Sequence, residues 1–128
     1  MNYNLNEDEK FEAKLTLLQD ILDKKQTALV AMLNISENQE MLYLSPPSDE
    51  RHRFITETDI EKQKQFDEVL TCDEMFQRIF DTISDEFEQK SEKHTEKIGC
   101  LQFSINEVLE LDMKIRAQEV RIKALQTK

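Results

Sequence analysis

The feature that most constrains the fold is the presence of a single glycine, Gly99, in 128 residues. Tight hairpins and phosphate-binding loops need backbone angles that glycine supplies, and glycine ordinarily makes up about 7% of a chain. The remaining residues are rich in Glu, Lys, Gln, Leu and Ile, with no Trp. This composition is typical of long helices, and no stretch alternates convincingly between apolar and polar residues as a strand would.

The chain is strongly acidic, with a formal net charge of −10 from 17 basic and 27 acidic residues. Such a balance opposes binding to nucleic acid and to anionic membranes, which recruit Lys and Arg. No apolar run approaches the ~18 residues of a membrane span, and the acidic start is not typical of a signal peptide. We therefore expect a cytoplasmic protein without membrane insertion, in which Cys72 and Cys100 are free thiols.

A first helix is predicted over residues 7–44. Its apolar residues recur at spacings of 3, 4 and 7, which place them on one helix face. The pattern weakens at Ser36, which leaves a kink open, and Pro46 and Pro47 end the helix because they cannot continue it. A linker is predicted over residues 45–55. The apolar face consists of Phe11, Leu15, Leu18, Leu22, Leu29 and Leu33.

A second helix is predicted over residues 57–89. Thr56 and Asp59 form a capping-box pattern at its start. A second such pattern begins at Thr71, but the apolar stripe keeps its phase there, which favours one continuous or kinked helix. The stripe consists of Ile60, Phe66, Val69, Cys72, Phe76, Ile79, Phe80, Ile83 and Phe87.

A turn near Lys90, with Ser91 as N-cap, predicts a third helix over residues 92–126. Its apolar seam is Ile98, Leu101, Ile105, Val108, Ile115 and Ile122. The chain is thus predicted to be one all-α domain over residues 1–128, an elongated antiparallel bundle of three long helices. Two arrangements stay open, an up-down-up bundle and a hairpin of helices two and three with helix one beside it.

The residues that usually carry catalysis are sparse. His52 lies in the predicted linker, and we interpret His94, between Glu92 and Glu96, as a solvated residue at a helix end rather than a base or ligand. The chain lacks the spaced Glu and His of helical metal sites, paired-cysteine motifs, phosphate loops and nucleophile elbows. We therefore expect no enzyme activity, no catalytic residue, no metal and no cofactor.

The C-terminal half of helix three carries more apolar surface than one neighbour needs. Besides the seam that contains Ile115, a helical projection separates a second strip. This second strip consists of Leu109, Met113, Ala117, Val120 and Ala124. It either packs on helix one or binds a partner helix, and both interpretations stay open. Between the two seams, Asp112 with Arg116 and Glu119 with Lys123 are spaced for ion pairs.

Several short patterns in residues 11–125 occur in an order that suggests a known family. They are Leu17–Leu22, Leu33–Gln39, Ile60–Gln63, Phe66–Asp67, Asp73–Phe76 and Ile98–Gln102. In this order they resemble the FlgN-type (FlgN/FliT-like) flagellar export chaperones. The resemblance implies a cytoplasmic chaperone of the flagellar type III export system.

Such a chaperone binds hook–filament junction subunits through its C-terminal amphipathic helix and prevents their premature assembly. Here that helix carries the second strip. The resemblance also leaves contact with the export gate open. The alternative is a homo-oligomeric helical scaffold or coiled-coil adaptor without a client, in which the second strip pairs with its own copy in a homodimer.

Overall fold

The computed structural model describes residues 7–90 and 92–127, and these form four helices. They are α1 (Glu7–Leu44), α2 (Asp49–Asp81), α3 (Ser84–Lys90) and α4 (Thr95–Gln126). No strand occurs in the described ranges, so the predicted all-α class is confirmed. The expectation of three helices is wrong, because the second predicted helix is divided.

Helix α1 is continuous over 38 residues and does not break at Ser36. Its first turn begins with Glu7, Asp8 and Glu9, whose negative charges favour the positive end of the helix dipole. Ten of its residues are buried, which is the largest buried set of any element. Helix α1 is therefore the helix with the most residues buried against its neighbours.

The linker predicted over residues 45–55 is too long, because α2 already begins at Asp49. Ser48 is the N-cap, and its hydroxyl oxygen accepts the Arg51 N–H at 3.0 Å. Thr56 lies inside the helix, where its hydroxyl donates to the carbonyl of His52. Both Ser48 and Thr56 are suitable N-caps, and Ser48 is used because it follows the two prolines directly.

The helix predicted over residues 57–89 ends at Asp81 and restarts as α3 at Ser84. It does not break at Thr71, whose hydroxyl donates to the Asp67 carbonyl within the helix. The interruption places Ile83 in the core with no exposed surface. Burial of this side chain at the end of the bundle accounts for the break, since a continuous helix would direct the chain past the core.

The third predicted helix begins three residues late, at Thr95, and its proposed cap Ser91 lies outside the described residues. His94 precedes the helix and is half-buried, with its ring centroid 5.2 Å from that of Phe11. The interpretation of His94 as a solvated residue is therefore wrong. Phe87 of α3 also packs against Phe11, edge to face, with the two ring centroids 6.2 Å apart.

Helix α1 and α2 run in opposite directions. Lys25 pairs with Asp73, and Gln39 donates to Asp59, so contacting residues have numbers with a nearly constant sum. The short turn at 45–48 imposes this direction, because two helices joined by a few residues return alongside each other.

Helix α1 and α4 run in the same direction. Gln19 donates to Ser104 at 2.7 Å, and Ser36 donates to Glu119 at 2.6 Å, so contacting residues differ by a nearly constant number. Both α2 and α4 pack more closely on α1 than on each other. The predicted hairpin of helices two and three is therefore not the packing unit, and α1 occupies the centre.

The core runs along α1 and ends under α3. It is almost entirely aliphatic, with aromatic side chains grouped at the α3 end. Its buried members are Phe11, Leu15, Leu18, Leu22, Ala28, Leu29, Met32, Val69, Ile83, Ile98, Leu101, Val108 and Ile115. No helix in the described part of the chain combines the length and hydropathy needed to cross a bilayer.

Candidate partner-binding surface

The second strip on α4 is open to solvent. Leu109, Met113 and Val120 are 56%, 70% and 68% exposed, and Ala117 and Ala124 are exposed as well. None of the five is buried against α1. Of the two interpretations that the sequence leaves open, packing of this strip on the first helix is not observed.

The geometry of α4 explains this exposure. Val108, Ile115 and Ile122 recur every seven residues and are buried on the α1 side. At 100° per residue, Met113 and Val120 are turned about 140–160° away from Ile115. A helix whose buried face meets α1 must therefore direct the second strip away from it.

Beside this strip, α2 and α4 stand apart and leave a groove, which we call the α2–α4 groove. Its wider part has a volume of about 730 Å³. Leu29 and Met32 of α1 form the floor of this part, while Phe66 of α2 and Val120 of α4 stand on opposite walls. The floor is apolar, so the groove presents the kind of surface that binds apolar side chains.

The groove continues toward α3 as a narrower hollow of about 280 Å³. Leu22 of α1, Phe76 of α2 and Leu109 of α4 line it. On the same three helices, these residues lie two to three turns from Leu29, Phe66 and Val120 of the wider part. The two hollows are thus consecutive sections of one groove.

The predicted site residues divide between two places. Leu109 and Val120 belong both to the second strip and to the groove wall, whereas Met113, Ala117 and Ala124 lie on the outer face of α4. Phe66, which belongs to the predicted apolar stripe of helix two, is 41% exposed and lines the groove. Phe66 lies three residues before Val69, which is the spacing of a core stripe, so periodicity alone could not distinguish a groove residue from a core residue.

One end of the groove is crossed by a polar layer, formed by Ser36, Gln39, Lys62 and Glu119. The Lys62 Nζ donates to the Gln39 Oε1 at 2.6 Å and to the Glu119 Oε1 at 2.9 Å. The same Glu119 oxygen accepts the Ser36 hydroxyl. Because Ser36 and Gln39 are buried, these bonds satisfy polar groups that would otherwise destabilise the core.

The two predicted ion pairs on α4 have different outcomes. Arg116 and Asp112 are paired at 3.1 Å, as predicted. Glu119 is engaged by Lys62 of α2 and Ser36 of α1 rather than by Lys123. Helical spacing indicated that Glu119 would find a cation, but the donor that reaches it comes from another helix.

Neither cysteine forms a disulfide. Cys72 is buried beside the narrow part of the groove, and Cys100 is exposed on α4. Burial raises the pKa of the Cys72 thiol, and the nearby carboxylates of Glu68 and Asp73 raise this pKa further. In the described ranges, no three His, Cys, Asp or Glu side chains lie close enough together to hold a metal ion.

Comparison with family models, curated proteins and solved structures gives no match to this chain.

Proposed function

We propose that this protein is a cytoplasmic chaperone of the flagellar type III export system. Its clients are the hook–filament junction subunits, which bind through the C-terminal amphipathic helix α4 and are thereby kept from premature assembly. The observation that carries the proposal is the exposure of the second strip, with Met113 and Val120 more than two-thirds exposed. The proposal includes an elongated antiparallel bundle of the three long helices, with α3 across one end.

The chemistry of the surface supports a helix-binding role. An apolar strip beside an apolar groove covers the apolar face of an amphipathic helix, and aliphatic area would supply the affinity. The charge of −10 gives the complex a repulsive surface that opposes its self-association. The order of short sequence patterns that resembles the FlgN-type chaperones points to the same class of client.

The test is binding of purified junction subunits from the parent organism, measured by calorimetry. Val120→Asp should weaken binding at least about tenfold, because it places a charge in the apolar contact. Helicity by circular dichroism should stay nearly unchanged, since Val120 is exposed. The matched control is Leu17→Asp, which adds the same charge at an exposed leucine on α1. Equal binding by both variants, or no binding by the unmodified chain, would contradict the proposal.

A homo-oligomeric scaffold is the second candidate. The second strip repeats at intervals of three and four residues, which is the spacing of a coiled-coil seam. Light scattering separates the two candidates, because a scaffold forms a stable dimer that Val120→Asp dissociates. Such a dimer, with no affinity for junction subunits, would replace the chaperone proposal.

A further inference from the structure

The α2–α4 groove has the dimensions of a helix-binding site. Along α4 it extends from Ile105 to Val120, a distance of about 22 Å at 1.5 Å per residue. A bound helix of about 15 residues would match this length. Since an α-helix with its side chains is about 10 Å across, it could lie only where two helices stand apart, as α2 and α4 do.

The arrangement of the three long helices leaves a vacant corner. Helix α1 contacts both α2 and α4, whereas α2 and α4 face each other across the groove. A fourth helix in that groove would touch α2 and α4 at once and complete a four-helix bundle. Phe66 and Val120 are exposed on opposite walls of the groove, and the added helix would cover both side chains.

The charges around the groove determine what such a helix must carry. Within residues 7–90 and 92–127, each cation that lines the groove already has a carboxylate partner, at 2.5–3.1 Å. The pairs are Lys25–Asp73, Lys62–Glu119 and Arg116–Asp112. Asp59, by contrast, is hydrogen-bonded by the neutral amide of Gln39. An incoming acidic helix would therefore find no unengaged lining cation, whereas a basic helix would find a carboxylate.

We propose that the α2–α4 groove binds a single amphipathic helix of another protein, apolar on one face and carrying Lys or Arg on its flanks. This inference deepens the proposed function and rests on it, because it specifies the segment by which a client is held. A second copy of this chain is a poorer occupant, since two molecules of charge −10 repel each other. The second strip then widens the contact beyond the groove.

The absence of tryptophan from the chain allows a local test. Phe66→Trp places a unique fluorophore on the groove wall, and Phe103→Trp places a matched one at an exposed position of α4 that does not line the groove. The probe is a synthetic peptide of about 16 residues with Leu on one helical face and Lys elsewhere. Two further peptides replace Lys with Glu or scramble the order of the Leu/Lys sequence.

The expected result is a blue shift of the Phe66→Trp emission on titration with the Leu/Lys peptide and no shift for Phe103→Trp. Binding should be at least about tenfold tighter than for the scrambled or the Glu peptide. Equal shifts in the two variants, or equal affinity for the ordered and scrambled peptides, would overturn the inference. A concentration-dependent shift without peptide, with a dimer by light scattering, would show that a second copy occupies the groove and would also overturn it.

The same two variants separate this inference from the proposed function. If junction subunits bind but leave the Phe66→Trp emission unchanged, the groove inference fails and the chaperone proposal stands. If the Leu/Lys peptide shifts the emission with the expected selectivity but junction subunits do not bind, the groove is a helix-binding site and the proposed client class is wrong.

Discussion

The two edges of α4 differ in how they meet the rest of the protein. The edge toward α1 is closed by buried aliphatic residues and by hydrogen bonds such as Gln19 to Ser104. The edge toward α2 is an open groove, crossed at one end by the Lys62–Glu119 pair. Both edges belong to one regular helix, so local sequence makes the helix and the positions of its neighbours decide which apolar residues remain accessible.

The largest expected effect on stability comes from truncating a buried residue of α4, Ile115, compared with an exposed one, Val120. Ile115→Ala should lower the free energy of unfolding by about 2–5 kcal/mol, because it leaves a cavity between α1 and α4. Val120→Ala should change it by less than about 0.5 kcal/mol. Urea denaturation followed by circular dichroism measures both. Similar losses for the two variants would show that the second strip is part of the core.

The polar layer provides the next contrast, between the bridging cation Lys62 and the more exposed cation Arg116, which also lines the groove. Lys62→Ala should cost about 1–3 kcal/mol, since it leaves the buried Gln39 without its donor and removes the link to Glu119. Arg116→Ala removes a well-exposed ion pair and should cost less than about 1 kcal/mol. The same denaturation experiment applies. If Arg116→Ala costs as much as Lys62→Ala, the polar layer has no special role.

Gly99 tests whether the outer face of α4 is uncovered beyond the second strip. An added Cβ at this helical position meets no atom within 4 Å. Gly99→Ala should therefore stabilise the protein by about 0.5–1 kcal/mol, because alanine loses less backbone freedom in a helix. The melting temperature should rise by a few degrees. A fall in melting temperature would indicate that something packs against this face.

The two cysteines extend the comparison to chemical reactivity. At pH 8, iodoacetamide should modify the exposed Cys100 while the buried Cys72 stays protected by its burial and raised pKa. Because the folded state holds the Cys72 proton more tightly, its contribution to stability is complete below the ordinary pKa of 9.0. That contribution is lost as the pH rises through the folded pKa. Mass spectrometry before and after denaturation counts the modified thiols, and rapid native labelling of both would contradict this assignment.

Periodicity predicted the helical class and the residues of α1 that face the core. It could not choose between Ser48 and Thr56 as N-cap, because both residue types suit that position. It also could not locate the break at Thr82, which follows from the burial of Ile83 at the end of the bundle. That burial depends on contacts far apart in sequence, which local patterns do not encode.

The candidate surface was predictable in part. Helical geometry specifies which residues form the second strip. It left open whether the strip packs on helix one or is exposed for a partner. The groove depends on the distance between α2 and α4, which no pattern within either helix specifies. The same distance decides the exposure of Phe66, since a residue at helical spacing is covered only if a neighbouring helix comes close enough.

The parallel pairing of α1 and α4 has a consequence for the order in which the chain folds. The hydrogen bond from Ser36 to Glu119 joins residues 83 positions apart, so it cannot form until α4 has been synthesised. During synthesis, α1 and α2 can associate as soon as both have left the ribosome. The face of α1 that packs on α4 stays exposed to solvent until the last quarter of the chain emerges. Such long-range closure slows folding relative to a bundle in which only sequential helices touch, and it makes a nascent or C-terminally clipped chain prone to aggregation.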